Sequence, residues 1–384
     1  MRPILLIVLV DALGWKLAAT RRGFLPQLPN RRELGTILGF SSGALPTVFT
    51  GRMPSEHGRF LMYRRAHGPT PFAGFSRLRW IPERIRGSWR MTKLLTRLVA
   101  SRGVEGYFNL YEVPRERLEG FDLPERADIF APGGLPCDSI WDTLETSGLR
   151  WRGWNWRTAQ RDAFTESLAR LSEGDDDVHF VYTAELDARL HQEGSRGTGV
   201  AECLVSVERF IADAFEAAGR ARRPLWCHVL SDHGMVDVRS HVNVKARLDS
   251  LSVRAGRDYD VFLDSTMARF WWRRSAARDA VVRALATEPR GRWLDRATLE
   301  REGAWFDDHR YGEDLWLIEP GALLVPSFMG SNPVAAMHGY EPTHPDMTAF
   351  LASNRQLPDH VGHLRDVRGL LERECAALRE GVAA

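Results

Sequence analysis

The stretch PLWCHVLSDHGM, residues 224–235, decides the fold of this chain. Its first seven residues are apolar apart from His228, a composition typical of a strand buried inside a sheet. Asp232 and His233 follow at the carboxyl end of that strand, where open α/β sheets place their ligands. Both side chains can bind one metal ion, and Gly234 permits the tight turn that points them into a crevice. The stretch therefore predicts a parallel α/β sheet with a reactive site at its carboxyl edge.

Further apolar runs predict neighbouring strands over residues 3–10, 36–40 and 178–183. Helical periodicity covers residues 201–219, and a helix is expected from Ser41 or Ser42 to Thr50. Alternating strands and helices indicate an α/β fold whose mostly parallel sheet is flanked by helices. We expect the 384 residues to form one large domain around this sheet.

Two regions do not fit the alternation. Residues 59–135 are rich in Arg, Trp, Pro and Gly, and we expect an insertion or cap there. Residues 245–330 show strand, helix and strand patterns that indicate a small α+β subdomain. Between Arg59 and Val104 the only acidic residue is Glu83. The basic and aromatic residues of this segment could form a solvated surface, a cover over an anionic substrate, or a patch that contacts anionic lipids.

The overall composition restricts the cellular setting more than the partner. The net charge of +2 favours no particular partner, and no nucleic-acid-binding motif is present, so we expect no nucleic acid ligand. The four cysteines are scattered without C-x-x-C spacing, which indicates a reducing compartment, and we expect a cytoplasmic protein. No segment has the ~18 consecutive apolar residues of a membrane span. The sequence does not indicate an oligomeric state.

Candidate metal ligands follow the predicted strands. Together with the two serines that begin the expected helix, they are Asp11, Ser41, Ser42, Asp187, His191, Asp232, His233 and His338. Asp and His without Cys suit Zn²⁺, with Mn²⁺ as the alternative, in a hydrolytic site. Six Asp and His ligands are too many for one catalytic ion that keeps an open position. We therefore expect two divalent ions about 3.5–4 Å apart, as in sites for in-line phosphoryl displacement.

These motifs resemble those of the alkaline phosphatase superfamily, and most closely its type I phosphodiesterase/nucleotide pyrophosphatase branch. In that branch the nucleophile lies ten residues before the glycine of a Thr-Gly pair. Here the pair is Thr50-Gly51, which points to Ser41 as nucleophile, with Ser42 as its rival. Leu190 stands where one of the branch's motifs has glycine. The similar segments are residues 50–58, 185–191, 231–235 and 338–340.

The resemblance implies a specific distribution of roles. One ion would be held by Asp187, His191 and His338, and the other by Asp11, Asp232 and His233, with Ser41 beside it. The implied activity is metal-dependent hydrolysis of a phosphodiester or pyrophosphate bond through a phosphoseryl intermediate. Alternatives are a phosphomonoesterase or phosphoryl transferase on the same core, or a non-catalytic protein that binds an anion.

The chain departs from the branch just after His57-Gly58. The branch carries there an Asn that contacts a phosphate oxygen, whereas this chain continues with residues 59–63, RFLMY. We therefore expect Arg59 or Arg64 to bind that oxygen instead. The expected substrate is an anionic phosphate ester, either a small molecule or a lipid-linked phosphate reached by peripheral contact with a membrane.

Overall fold

The computed structural model describes residues 2–381. Its strands are, in chain order, β1 (Ile4–Val10), β2 (Asn30–Leu34), β3 (Arg64–Arg65), β4 (Phe121–Asp122), β5 (Trp151–Trp154), β6 (Val178–Thr183), β7 (Leu225–Leu230), β8 (Val236–Asp237), β9 (Ser240–Val242), β10 (Tyr259–Leu263), β11 (Met267–Trp272), β12 (Gly291–Leu294), β13 (Asp314–Ile318), β14 (Ala322–Leu324), β15 (Ala336–Met337) and β16 (Ala349–Ser353). Its α-helices are α1 (Trp15–Thr20), α2 (Ser41–Thr50), α3 (Pro54–His57), α4 (Glu83–Arg86), α5 (Trp89–Ala100), α6 (Ile140–Thr146), α7 (Gln160–Glu173), α8 (Glu185–Glu193), α9 (Thr198–Arg220), α10 (Val244–Asp249), α11 (Ser275–Ala286), α12 (Arg296–Arg301) and α13 (Val367–Glu380). None of these helices combines the length and the apolar character that a membrane crossing requires.

A six-stranded sheet in the order β2-β16-β7-β1-β6-β5 forms the centre of the fold. All strands run parallel except β16, which is antiparallel to both of its neighbours. The central strands are buried on both faces because helices cover the sheet on each side, which explains their continuous apolar runs. Side chains of β1 alternate between a core shared with α9 and a core shared with α2 and α13. The predicted α/β fold with a mostly parallel sheet flanked by helices is confirmed.

One predicted strand is wrong. Residues 36–40 form an irregular segment, and the strand lies earlier, at β2. Gly39 has φ of +108°, which is incompatible with a continuous strand. Ile37 and Leu38 are buried nonetheless, Ile37 in a core shared with α2 and Leu38 in a core shared with β11 and β13. Their apolar character therefore reflects packing rather than strand pairing.

The predicted α+β subdomain contains an antiparallel sheet in the order β10-β11-β13-β12, together with α11 and α12. The insertion has short elements apart from the 12-residue helix α5, and its apolar residues share one core with β10 and β11. That shared core includes Tyr63, Phe72 and Phe121 from the insertion and Phe262 from β10. The insertion therefore packs against the subdomain. The boundaries 59–135 and 245–330 remain predictions.

Candidate active site

The carboxyl ends of three neighbouring strands bring the candidate ligands together. In the register of β1, Val10 lies beside Thr183 of β6 and Leu9 beside Leu230 of β7. Asp11 therefore emerges next to the Asp232-His233 pair, and α8 begins just beyond β6. The parallel sheet alone accounts for this convergence, because carboxyl ends of parallel strands meet at one edge.

The turn after β7 is held by two residues of the 231–235 motif. The Ser231 hydroxyl donates to the Leu13 carbonyl at 2.7 Å and accepts the Phe350 N–H at 2.9 Å. The Gly234 N–H donates to the Met347 carbonyl at 2.8 Å. A Cβ on Gly234 would overlap the Asp346 carbonyl oxygen, so glycine is needed for this close backbone approach.

The first ligand cluster consists of Asp11, Asp232 and His233, all buried. His233 Nε2 lies 3.4 Å from Asp11 Oδ1 and 3.3 Å from Asp232 Oδ2. Its Nδ1 lies 3.0 Å from the Gly234 carbonyl, an arrangement in which Nδ1 donates and leaves Nε2 free to bind a metal. Tyr182 donates to Asp11 Oδ2 at 2.6 Å. Asp11 Oδ1 and Asp232 Oδ2 have no hydrogen-bond partner among the described residues, as expected of atoms that face a cation.

The second cluster adjoins the first. Asp187 Oδ1 lies 3.4 Å from His191 Nε2 and 3.7 Å from His338 Nε2, and it has no hydrogen-bond partner in the described chain. His191 Nδ1 donates to the Ala336 carbonyl at 2.8 Å, which orients Nε2 towards Asp187. His233 also comes within 4.8 Å of both Asp187 and His338, and its ring stacks on that of His338 with centroids 3.8 Å apart. We assign His233 to the first cluster because its Nε2 lies closest to Asp11 and Asp232.

The electrostatics of both clusters favour bound cations. Burial and the neighbouring Asp232 and Asp187 raise the pKa of Asp11 well above its ordinary value. Burial likewise raises the pKa of Asp187. Burial, followed by the neighbouring His233, lowers the pKa of His338 well below its ordinary value. Divalent cations would offset the cost of crowding buried carboxylates, so the residues present fit a binuclear metal centre.

Ser41 begins α2 beside the first cluster. Its Oγ lies 2.9 Å from His233 Nε2. The backbone N–H groups of Ser41 and Ser42 donate to no described residue, so this helix N-terminus can receive an anion. Ser42 Oγ is buried without a hydrogen-bond partner in the described part of the chain. Both serines line the cavity, and Ser41 alone of the two contacts His233 through its hydroxyl.

A cavity of about 710 Å³ opens over the two clusters. The sheet edge forms its floor, and the insertion and the α+β subdomain supply parts of its wall. Residues that contribute aromatic, amide or acidic groups to that wall include Tyr107, Asn109, Tyr111, Glu125, Phe130, Trp156 and Asp264. Within residues 2–381, no lysine or arginine lines the cavity.

Glu125 is the unexpected acid in this wall. Burial raises its pKa to about 7, although the Tyr107 N–H donates to its Oε1 at 2.8 Å. Tyr107 packs edge-on against Trp156 with ring centroids 5.3 Å apart. Glu125 therefore titrates near neutrality within an aromatic part of the cavity.

Arg59 and Arg64 do not line the cavity. Arg64 forms an ion pair with Asp122 at 2.8 Å, and Arg59 is buried. Their role in binding a phosphate oxygen remains a prediction that this placement does not support. The sequence reasoning missed Asn109, whose Oδ1 accepts the Tyr111 N–H at 2.9 Å and whose amide NH₂ donates to no described residue. The run YFNLY, residues 107–111, was the available signal, because one amide stands there among aromatic residues in an otherwise arginine-rich insertion.

A mostly parallel α/β sheet that carries two Asp/His clusters beside a serine at a helix N-terminus defines a hydrolase of the alkaline phosphatase superfamily. A family model described as type I phosphodiesterase / nucleotide pyrophosphatase matches residues 5–341. The chain therefore belongs to the type I phosphodiesterase/nucleotide pyrophosphatase family and is a phosphoric ester hydrolase. No curated protein matches the chain in sequence.

Solved structures show the same fold at low sequence identity. Murine ectonucleotide pyrophosphatase/phosphodiesterase 5 has a TM-score of 0.66 at 14% identity, over 98% of this chain and 95% of that protein. The human protein of the same name has a TM-score of 0.66 at 12% identity, over 98% and 95% of the respective chains. An inactive variant of the murine protein in complex with AMP has a TM-score of 0.64 at 16% identity, over 100% and 96%.

Proposed function

We propose that this protein hydrolyses a phosphodiester or pyrophosphate bond in two steps, with Ser41 as the nucleophile. The proposal rests on the 2.9 Å contact between Ser41 Oγ and His233 Nε2, at the edge of the Asp11–Asp232–His233 cluster. In the first step Ser41 Oγ bonds to phosphorus while the bond to the leaving oxygen breaks. In the second step water cleaves the phosphoseryl ester, releases a phosphate product and restores Ser41.

The two clusters would each hold one divalent ion. One would be bound by Asp187, His191 and His338, and the other by Asp11, Asp232 and His233 with Ser41 beside it. When bound, such ions would lower the pKa of the serine hydroxyl and of the attacking water and would offset phosphate charge. The mixed nitrogen and oxygen ligands suit Zn²⁺ best and Mn²⁺ second.

The chain's own groups would place the phosphate. The free N–H groups of Ser41 and Ser42 at the start of α2 would donate to phosphate oxygens, supported by the helix dipole. The amide of Asn109 in the cavity wall would supply the donor that the sequence lacks after Gly58. No arginine or lysine of the described chain is placed to do so.

We propose that the organic part of the substrate is flat and of nucleoside size. The observation in favour is the aromatic wall formed by Tyr107, Phe130 and Trp156. The AMP bound to the murine protein of the same fold makes a nucleoside monophosphate group the first candidate. A lipid-linked phosphate is the alternative within the same reaction class.

The experiment compares Trp156→Ala with Trp305→Ala, which changes a half-buried tryptophan outside the cavity. With a nucleotide diester as substrate, we expect Trp156→Ala to raise KM about tenfold while kcat changes little, because ring stacking is worth about 1–3 kcal/mol per base. Trp305→Ala should leave KM unchanged. Equal KM values in all three proteins would contradict a stacked base.

A substrate panel separates the alternative reactions. Faster hydrolysis of p-nitrophenyl phosphate than of bis-p-nitrophenyl phosphate would indicate a phosphomonoesterase. A phosphorylated alcohol as the main product in the presence of an acceptor alcohol would indicate a transferase. Tight phosphate binding without turnover of any ester would favour the non-catalytic alternative.

We further propose a cytoplasmic location. In support, all four cysteines are free, and Cys203, Cys227 and Cys375 are buried as thiols. Fractionation of cells that express the full chain tests this location, and recovery from a secreted fraction would contradict it.

A further inference from the structure

The segment from Arg77 to Leu98 forms an exposed surface on the insertion, here called the basic-aromatic surface. Five of the eight large hydrophobic side chains that are exposed on the described chain belong to it. Their exposed fractions are Trp80 77%, Trp89 69%, Leu94 59%, Ile85 53% and Leu98 37%. Such a concentration of exposed apolar groups marks an interaction surface.

Cations without acidic partners lie in the same segment as these apolar groups. The exposed basic residues are Arg77, Arg79, Arg84, Arg90, Lys93 and Arg97, and none forms an ion pair with a described carboxylate. The single acid in the segment is Glu83. Elsewhere arginines are commonly paired, as Arg64 is with Asp122 and Arg170 with Asp176. Unpaired exposed arginines such as Arg22, Arg222 and Arg283 also occur elsewhere on the described chain, but this segment combines six unpaired cations with one acid.

The surface is built on a folded support. Leu95 and Val99 on the inner face of α5 are buried in the core of the insertion, and the Ser88 hydroxyl accepts the Met91 N–H at 3.3 Å to cap the helix. Arg79 stacks over Trp80 at 4.9 Å, and Lys93 lies 5.9 Å from the Trp89 ring. The exposed tryptophans are thus held beside cations.

We propose that the basic-aromatic surface docks the protein on an anionic phospholipid bilayer. Tryptophan rings prefer the level of the lipid headgroups, and Ile85, Leu94 and Leu98 can enter the upper acyl region. The six unpaired cations complement anionic headgroups. Docking requires no membrane-spanning helix, and this proposal does not depend on the reaction that the enzyme catalyses.

The same chemistry argues against nucleic acid as the occupant. A phosphate backbone would use the cations, but it offers no apolar environment for Ile85, Leu94 and Leu98. A bilayer interface uses both sets of side chains at once. Nucleic acid is therefore an outcome that the experiment must be able to detect.

Docking would also orient the catalytic cavity. The buried Arg115 donates to Thr92 Oγ1 of α5 at 3.0 Å and to the carbonyls of Leu110 and Tyr111, both at 2.8 Å. Tyr111 lines the cavity. The docking helix and one cavity wall are therefore joined through a single buried guanidinium.

The test is sedimentation of the full chain with lipid vesicles. One set contains equal parts of phosphatidylglycerol and phosphatidylcholine, and the other contains phosphatidylcholine alone. The surface variant carries Arg79→Gln, Arg84→Gln and Arg90→Gln. The matched control carries Arg22→Gln, Arg222→Gln and Arg283→Gln. These three arginines are exposed, lie outside the surface and also lack ion pairs in the described chain.

We expect the wild type and the control to bind the phosphatidylglycerol vesicles alike. The surface variant should bind about 100-fold more weakly, because each basic residue near such a membrane contributes about fivefold. The double variant Trp80→Ser, Trp89→Ser should reduce the binding that persists at high salt. Unchanged thermal unfolding would show that these exposed substitutions leave the fold intact.

Three results would overturn the proposal. The first is that the wild type does not bind phosphatidylglycerol vesicles. The second is that the surface variant and its control lose vesicle binding equally. The third is that the wild type binds duplex DNA more tightly than it binds vesicles. The first and third results are measured on the wild type alone. The second counts only when both variants unfold at the wild-type temperature.

Discussion

Replacing Ser41 by alanine separates catalysis from structure. The Ser41 hydroxyl forms one hydrogen bond, to His233, so its removal should lower the free energy of unfolding by about 1 kcal/mol at most. Activity should fall far more, because the substitution removes the atom that bonds to phosphorus. We expect a loss of at least about 10³-fold in kcat, which corresponds to about 4 kcal/mol of transition-state stabilisation.

Ser42→Ala is the matched control. Ser42 Oγ is buried without a hydrogen-bond partner among the described residues, so its loss should cost little stability. Its backbone N–H at the start of α2 is retained. We expect Ser42→Ala to keep most of the wild-type activity.

The assay measures hydrolysis of bis-p-nitrophenyl phosphate together with metal content and thermal unfolding of each protein. In the wild type, acid quenching with a labelled diester should trap phosphate on Ser41, and Ser41→Ala should trap none. Retention of more than about a tenth of wild-type kcat in Ser41→Ala would refute the assignment, because a lost nucleophile costs orders of magnitude. Inactivation by Ser42→Ala alone would transfer the role to Ser42.

Three further predictions concern the metal centre, the cavity wall and the turn after β7. EDTA should abolish activity and lower the unfolding temperature, and added Zn²⁺ or Mn²⁺ should restore both. Elemental analysis should show that Asp187→Asn has lost one of the two bound ions. Hydrolysis that resists the chelator would contradict the two-metal site. Burial raises the pKa of Glu125 from 4.5 to about 7, so its stabilising contribution is complete below pH 4.5 and is lost as the pH rises through 7. Between pH 4.5 and 7 the free energy of unfolding of Glu125→Gln, measured in urea, should therefore rise relative to the wild type by about 1–3 kcal/mol. A difference between the two proteins that does not change with pH would refute the raised pKa of Glu125 as the cause. Gly234→Ala should destabilise the protein by about 1–3 kcal/mol and reduce its metal content, because the new Cβ would displace the Asp346 backbone. If this variant unfolds and binds metal as the wild type does, the steric explanation is wrong.

The central strands and the ligand clusters were predictable because the sequence carries both signals locally. β1, β6 and β7 are largely apolar and buried throughout, and Asp11, Asp187 and Asp232 follow them directly or within the next helix. Residues 36–40 misled the prediction because a short apolar run indicates burial without distinguishing a strand from an irregular segment. Gly39 was the residue that argued against a strand.

The cavity wall could not be predicted, because it depends on pairings between residues far apart in sequence. Arg64 pairs with Asp122, which lies 58 positions along the chain, and does not line the cavity. The loop that carries Asn109 into the cavity wall is anchored from Tyr63, whose hydroxyl donates to the Asn109 carbonyl at 2.7 Å, and from Arg115, which donates to the Leu110 carbonyl. Composition showed that residues 59–104 are rich in arginine but did not indicate which way the arginines face.

The separation of positive charge from the cavity links the two proposals. Within the described residues, the cavity contains carboxylates and aromatic rings but no lysine or arginine. The negative charge of a bound phosphate ester would then be offset by the α2 N-terminus, the Asn109 amide and divalent ions. The exposed arginines of the insertion are free for a different ligand, so removing them should weaken membrane binding while hydrolysis of a soluble diester continues at the wild-type rate. Loss of both properties together in the Arg79, Arg84 and Arg90 variant would show that the surface and the cavity act on one substrate.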